Sequence, residues 1–306
     1  MTPDTPVTVT PGHLAGPGDP DAAFGQFFET NETWQRWRSR DKSTIAVHEQ
    51  LTARIELDHE AGDDDPRWTI AAYTSPVGEL HWQAQFCVRT PVEIVMAVAD
   101  QLTYLLDHPS GGRRDALLWE GRPLGAAVGL ALHTGQRATA PDRPSDAPRE
   151  APPRKEHSPD AAARLARLET DPAWRETGLG SGFTRTDGTG GIHLPVQGPG
   201  STAAVPGAVV WGGPRGYEHL RWRAEFTAEC PNSLVIAALN EVIEPQPAER
   251  LLGQVPAANM TQVRIGARPA RPAAATAHGH HRPTGSNPPS PTPADPAPPG
   301  GEHRRR

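Results

Sequence analysis

The clearest pattern in the chain lies in residues 81–102, HWQAQFCVRTPVEIVMAVADQL, where apolar residues change from alternate spacing to helical spacing. Trp82, Ala84 and Phe86 alternate with polar residues, which predicts a strand with one buried face. Pro91 then stands where the first turn of a helix tolerates a missing N–H, and apolar residues recur at intervals of three to four. The segment therefore predicts a strand, a tight corner and an amphipathic helix.

The same pattern returns 140 positions later in residues 221–242, RWRAEFTAECPNSLVIAALNEV. Six of the 22 aligned positions are identical, and all six suit a core or a corner: Trp222, Ala224, Phe226, Pro231, Val235 and Ala237. The polar residues differ, since His81 aligns with Arg221 and Glu93 with Ser233. Two identical active sites would need identical polar groups. We therefore expect any site to belong to one copy or to the seam between the two.

Upstream of each strand, matching elements recur at offsets of 138 to 140 residues. A helix is predicted after the N-cap Asp19 with Pro20 in its first turn, and Ser158 with Pro159 repeats that arrangement. Four strands are predicted between the helices of each copy, at residues 44–48, 52–57, 68–73 and 82–86 and at residues 182–186, 192–197, 209–211 and 222–226. The pattern thus predicts an α+β fold of tandem duplicated α-β-β-β-β-α units, each an antiparallel sheet backed by helices.

Composition predicts which parts of the 306-residue chain lie outside those units. The segments between and beyond the repeats hold 17 of the 35 prolines in about a quarter of the chain. We predict disorder in residues 1–10, a flexible Pro-rich linker over residues 133–157 and a disordered basic Pro-rich tail over residues 266–306. The two repeat domains would then occupy residues 11–132 and 158–265.

The motifs of the first copy also match a known family pattern. The relevant segments are His13 to Pro20 within PGHLAGPGDPDAA, the turn Ser75-Pro76, Trp82 and the helix start Thr90-Pro91. In these segments the chain resembles the actinomycete domain of unknown function 317, also called the SPDY domain, which commonly occurs as two copies per chain. The second copy departs from the pattern, with Gly213-Pro214 and Cys230-Pro231 at the corresponding places. That family has no established activity, so the resemblance implies an architecture and leaves the function open.

No local motif predicts a reaction. The chain lacks a phosphate-binding GxxxxGK[ST] loop, and the run Asp63-Asp64-Asp65 between Gly62 and Pro66 is typical of a solvated hairpin tip. Cys87 and Cys230 occupy different positions of the repeat, which favours buried inert thiols over a disulfide or a nucleophile. We predict no cofactor, no metal and no catalytic residue, so an enzyme is the least favoured reading.

Two further features of the sequence concern the cellular location of the protein. The apolar run over residues 124–132 is too short to cross a membrane. The sequence shows no secretory signal and only two cysteines, which predicts a cytoplasmic protein without membrane association.

Charge is distributed unevenly along the chain. Residues 261–306 hold seven arginines and two acidic residues, a charge of +5, which leaves −11 for the remainder. The tail ends in Arg304, Arg305 and Arg306, the candidate residues for contacts with nucleic acid phosphates.

These observations leave three functional readings. The first is a non-catalytic binding or adaptor protein with an unknown protein partner. The alternative is a nucleic-acid-associated protein that uses the basic tail for weak, non-specific contacts. An enzyme of unrecognised type comes third.

Tryptophans beside arginines raise a related question. The segments Trp34-Gln35-Arg36-Trp37-Arg38 and Arg221-Trp222-Arg223 combine rings and positive charge as a stacking platform for single-stranded nucleic acid would. In the second segment, alternation places the arginines on the face opposite the ring. We therefore favour buried tryptophans flanked by solvated arginines.

Overall fold

The computed structural model describes residues 2–39, 42–108, 161–178, 182–195 and 206–267. The predicted linker and residues 268–306 of the predicted tail, with Arg304, Arg305 and Arg306, lie outside these ranges. Within them, four α-helices and thirteen β-strands are present. The fold is mixed α and β with antiparallel sheets, as the sequence predicts.

The first half opens with helix α1 (Pro20–Thr30), whose N-cap is the predicted one. The Asp19 side chain accepts a hydrogen bond from the Ala22 N–H at 3.0 Å. Five strands follow, and then the long helix α2 (Val92–Asp107). The strands are β2 (Trp34–Arg38), β3 (Ser43–His48), β4 (Ala53–Asp58), β5 (Pro66–Tyr73) and β6 (Leu80–Cys87).

The second half has the same order of elements. Helix α3 (Ala161–Thr170) precedes five strands, and helix α4 (Asn232–Ile243) follows them. The strands are β7 (Trp174–Glu176), β8 (Gly182–Arg185), β9 (Gly190–His193), β10 (Ala208–Gly212) and β11 (Trp222–Phe226). Each half therefore contains five strands and not the predicted four. The missed strands, β2 and β7, each follow the first helix of their half.

The two halves share one sheet, whereas the sequence predicts a separate antiparallel sheet for each unit. The ten strands run in the order β2-β3-β4-β5-β6-β11-β10-β9-β8-β7, and β6 pairs antiparallel with β11 at the centre. We call this central pairing the seam. All described residues belong to one compact unit.

A second, smaller sheet joins the two ends of the described chain. Strand β1 (Pro6–Thr10) lies between β12 (Ala248–Leu251) and β13 (Arg264–Ala267), antiparallel to both. The prediction of disorder is wrong for residues 6–10, because they pair with residues 239 to 260 positions away in the chain. The first two residues of the predicted tail, Gly266 and Ala267, likewise belong to a strand.

One continuous core lies between the large sheet and the helices. Trp82, Phe86, Trp222 and Phe226 all lie in it and are fully or almost fully buried, as their alternation predicts. Burying a side chain of this size contributes roughly 1.5–3 kcal/mol relative to leaving it exposed. The small sheet has a core of its own around Val7 and Val9.

Candidate binding face at the seam

The large sheet has one face covered by helices and one face that we call the open face. Along β4, β6 and β10, fully buried residues alternate with half-exposed ones, and the buried set joins the helices in the core. The side chains that point away from the helices include Thr69, Gln83, Gln85, Trp211, Arg223 and Glu225. Around the seam these outward-pointing side chains are mostly polar, and no sequence motif indicates their role.

The seam is symmetric in register. Gln85 pairs with Glu225, and the neighbouring pairs are Ala84 with Phe226 and Phe86 with Ala224. Each residue of the central pair thus stands 140 positions from its partner, which is the offset of the repeat. Gln85 and Glu225 therefore occupy the same position in their respective halves, and that position forms the centre of the seam.

Hydrogen bonds on each side of that centre hold the seam together. The Thr227 N–H donates to the Gln83 carbonyl at 3.0 Å, and the Gln83 N–H donates to the Thr227 hydroxyl at 3.1 Å. On the other side, the Thr90 hydroxyl donates to the Arg223 carbonyl at 3.1 Å. Thr90 therefore links the corner before α2 to the opposite half of the sheet.

A shallow pocket of about 60 Å³ opens on this face beside the seam. Its lining residues are Asp64, Asp65, Pro66, Gln85, Cys87, Arg223 and Glu225. Arg223 Nε lies 3.0 Å from Glu225 Oε1, so this positive charge already has a partner. The pocket has room for about two water molecules and suits a single polar or basic side chain better than a small-molecule substrate.

The described hydrogen-bond partners of the pocket cysteine do not include a general base. The Cys87 thiol lies 3.6 Å from the Thr90 hydroxyl and accepts from the Arg223 N–H at 3.3 Å, so neither neighbour is a general base. Cys230 is buried, and neither Cys87 nor Cys230 forms a disulfide. No cluster of three His, Cys, Asp or Glu residues in the described ranges could hold a metal ion.

An aromatic and basic patch lies next to the pocket on the open face. The Arg221 guanidinium stacks over the Trp211 ring at 4.1 Å from its centroid, a cation–π contact. Arg223, directly opposite Trp211 on the neighbouring strand, is 56% exposed. In the register of the first half, the position of Trp211 holds Ala71, so the aromatic patch exists on one side of the seam only.

Behind the sheet, the segment from His13 to Pro20 is a structural connection between the halves. The Trp222 Nε1–H donates to the His13 carbonyl at 2.8 Å, and both His13 ring nitrogens are buried without a described partner. Burial, and then the nearby Arg185 charge, lower the pKa of His13 to about 4. Burial alone would raise the pKa of Asp187, but hydrogen bonds from Arg185 and Thr189 outweigh it and lower that pKa.

Arg250 fixes the same segment to both ends of the fold. Its guanidinium donates to both Glu93 carboxylate oxygens at 2.6 Å and to the Gly16 carbonyl at 3.0 Å, with only 3% of the side chain exposed. Burial, and then the charge of Glu93, raise the pKa of Glu241. No pattern in the sequence indicated this pair, because its two residues are 157 positions apart.

The structure answers some of the earlier questions about individual residues. Asp63, Asp64 and Asp65 lie in an exposed turn between β4 and β5, as predicted. Trp34 and Trp222 are buried, as favoured above, but Trp37 is 58% exposed.

Among known families, residues 50–105 match the model of the SPDY domain, described as a domain of unknown function (DUF317). The match runs from the start of β4 through most of α2 and supports the resemblance for one copy. No curated protein and no solved structure shows a match to the chain. No helix in the described ranges is long and apolar enough to cross a membrane.

Proposed function

We propose that the chain is a non-catalytic binding protein, built from two copies of one unit, whose open face docks a protein partner. The duplication is supported by the order of elements, α-β-β-β-β-β-α in each half, and by the seam register that sets Gln85 opposite Glu225. On this reading the second copy is a diverged SPDY-like unit. The second copy then supplies five of the ten strands of the large sheet.

The observation that carries the docking proposal is the patch of Trp211, Arg221 and Arg223 beside the seam pocket. Tryptophan and arginine are the residues most enriched at energetic centres of protein interfaces. Here they stand on a sheet face that no described helix covers. The pocket next to them, with the carboxylates of Asp64 and Asp65, offers room for one basic side chain of the partner.

Site-specific photo-crosslinking tests the proposal. A benzophenone amino acid at position 85 would lie at the centre of the open face, and the same group at the exposed position 169 of α3 would lie on the helix side as the control. In lysate of the source organism we expect a discrete protein adduct from position 85 that position 169 does not give. Arg223→Glu together with Trp211→Ala should remove that adduct.

Two results would contradict the proposal. Adducts of equal yield from both positions would mean that the open face is not preferred. An adduct from position 85 that nuclease treatment removes would favour nucleic acid as the partner and revive the alternative reading.

A further inference from the structure

Within the described ranges, the outermost strand on one side of the large sheet, β2, has no strand paired to its outer edge. Among the described strands it pairs with β3 alone. Two hydrogen bonds fix the register on either side: the Glu49 N–H donates to the Thr33 carbonyl at 2.8 Å, and the Ser39 N–H donates to the Ser43 carbonyl at 3.0 Å. In an antiparallel ladder, alternate residues direct both backbone groups to the same neighbour. The odd-numbered residues of this segment therefore bond to β3.

The even-numbered residues direct their backbone groups away from the sheet. The Trp34 N–H donates to the Asn31 carbonyl at 3.2 Å, so the turn before the strand occupies it. The Trp34 carbonyl and both backbone groups of Arg36 and Arg38 face outward. Within the described ranges no strand lies beyond β2. This edge can accept a further strand of about five residues.

The side chains along this edge give it a definite chemistry. Arg36 and Arg38 are exposed on the helix side of the strand, and neither forms an ion pair with any described carboxylate. Arg36 lies over the half-buried Phe28 ring of α1 at 5.4 Å. On the other side of the strand, Trp37 exposes 58% of its surface. The edge thus offers positive charge on one face and an aromatic ring on the other.

The opposite edge of the same sheet shows that the fold does not require this chemistry. Strand β7 is the outermost strand there, and its Trp174 is buried as Trp34 is. The next residues are Arg175, Glu176 and Thr177, so an acidic residue stands where β2 has Arg36. The strand is also shorter, with three residues against five. Two arginines on the helix side and an exposed aromatic ring therefore mark the β2 edge and not the β7 edge.

We propose that the outer edge of β2 binds an extended acidic segment of a partner protein, which adds to the sheet as an antiparallel eleventh strand. Acidic side chains at alternate positions would face Arg36 and Arg38, and apolar side chains between them would cover Trp37. A second copy of this chain is a poorer occupant, because antiparallel self-pairing about Arg36 would set arginines against arginines. Single-stranded nucleic acid could stack on Trp37 but has no alternating donors and acceptors for the backbone edge.

This inference extends the proposed function to a second surface, and the two are tested separately. Docking on the open face is read out by crosslinking at position 85 in lysate. Binding at β2 is read out with purified protein and synthetic peptides. Failure of either leaves the other standing.

The probe is a fluorescein-labelled octapeptide of alternating Glu and Val, and binding is followed by fluorescence anisotropy. The matched peptide of alternating Lys and Val carries the opposite charge. Two further peptides carry N-methyl groups either on the Glu residues, whose N–H groups would face β2, or on the Val residues, whose N–H groups would point away. Labelled oligothymidylate tests the nucleic acid reading.

We expect the Glu–Val peptide to bind and the Lys–Val peptide not to bind. N-methylation of Glu should abolish binding, and N-methylation of Val should leave it within about twofold. Charge reversal with Arg36→Glu and Arg38→Glu should weaken binding about tenfold or more, and the effect should fade as salt increases. Arg175→Glu on β7 is the matched control and should change nothing.

The charge-reversed variant should keep the melting temperature of the wild type, because both arginines are exposed; the N-methylated peptides test the same edge without altering the protein. No saturable binding up to about 1 mM Glu–Val peptide would overturn the proposal and leave the arginines as protection against edge aggregation. Equal effects of the two methylation patterns would also overturn it. So would binding of oligothymidylate, but not of peptide, that Trp37→Ala removes.

Discussion

Phe86 and Phe226 meet edge to face across the seam, with ring centroids 6.0 Å apart and ring planes at 82°. Both side chains are fully buried in the one core that the two halves share. Because each ring packs on residues of the other half, the halves stabilise one another and are expected to unfold together.

Replacing Phe226 by alanine should lower the free energy of unfolding by roughly 3–5 kcal/mol, the usual range for a buried aromatic side chain. Urea denaturation followed by near-UV and far-UV circular dichroism should show one coincident transition in both proteins. Gln85→Ala, on the open face of the paired strand, is the control and should change stability by no more than about 0.5 kcal/mol. Two separated transitions would contradict a shared core.

The seam should also hold the halves together after the chain is cut. A specific protease site inserted between residues 145 and 146 would separate the halves covalently. After cleavage we expect both fragments to elute together in size-exclusion chromatography and to separate only in denaturant. Glu225→Pro in the cleaved protein removes a ladder N–H at the centre of the seam and should make the fragments separate at a lower denaturant concentration. The small sheet and the pair of Arg250 and Glu93 still join the fragments in that variant. Fragments that separate without this change would show that the seam is weak.

Burial of His13 predicts a loss of stability in mild acid. The folded-state pKa of about 4 lies below the ordinary value of 6.5, so protons bind the unfolded chain more readily. As the pH falls from 7 to 5, the His13 side chain becomes protonated in the unfolded state but stays largely neutral in the folded state. This difference lowers the free energy of unfolding by roughly 2 kcal/mol. The loss is complete once the pH passes below about 4.

The measurement is the urea midpoint at pH 7 and pH 5 for the wild type and His13→Gln. The raised pKa of Glu241 acts in the opposite direction, so the difference between the two proteins isolates His13. His193→Gln, at an exposed strand end, serves as the control. A variant with the same acid sensitivity as the wild type would show that His13 is protonated in the folded state.

The pair Arg250 and Glu93 predicts an asymmetric response to mutation. Arg250 is buried, whereas Glu93 is 37% exposed and remains hydrated if its partner is removed. Glu93→Ala leaves a buried positive charge unpaired and should cost about 3–5 kcal/mol, more than Arg250→Met. The surface pair of Arg54 and Glu56 gives the control, since Arg54→Ala should cost at most about 1 kcal/mol. The measurement is thermal denaturation. If Glu93→Ala destabilised the protein no more than Arg54→Ala does, the result would contradict this prediction.

The basic tail predicts only weak, sequence-independent DNA binding. Each phosphate contact should contribute a slope of about −0.9 to the dependence of log affinity on log salt. The negative charge of the rest of the chain opposes this attraction. Deletion should begin at residue 268, because residues 264–267 form β13. Fluorescence anisotropy should then show no DNA binding, with the thermal melt unchanged. Sub-micromolar, sequence-selective binding at physiological salt would contradict the prediction and promote the nucleic acid reading.

The spacing of apolar residues predicted the elements in which that spacing is regular, such as strand β6 and helix α2. It missed β2, because only Trp34 of that strand is buried and the remaining residues are exposed. It also missed β1, whose partners are distant in sequence. Alternation of apolar and polar residues indicates that a strand has one buried face, but it does not identify the strand that pairs with it. The seam, the small sheet and the pair of Arg250 and Glu93 all depend on neighbours, so they became visible only in three dimensions.

The symmetric register of the seam has a consequence for how the surface can change. In a homodimer closed by this strand pair, one codon would set both central residues, and any substitution would occur twice across the axis. Here the two positions are encoded separately, and they hold Gln85 and Glu225. The same independence allows Trp211 on one side and Ala71 on the other. A chain that contains both halves keeps a symmetric core while its open face evolves as two independent surfaces.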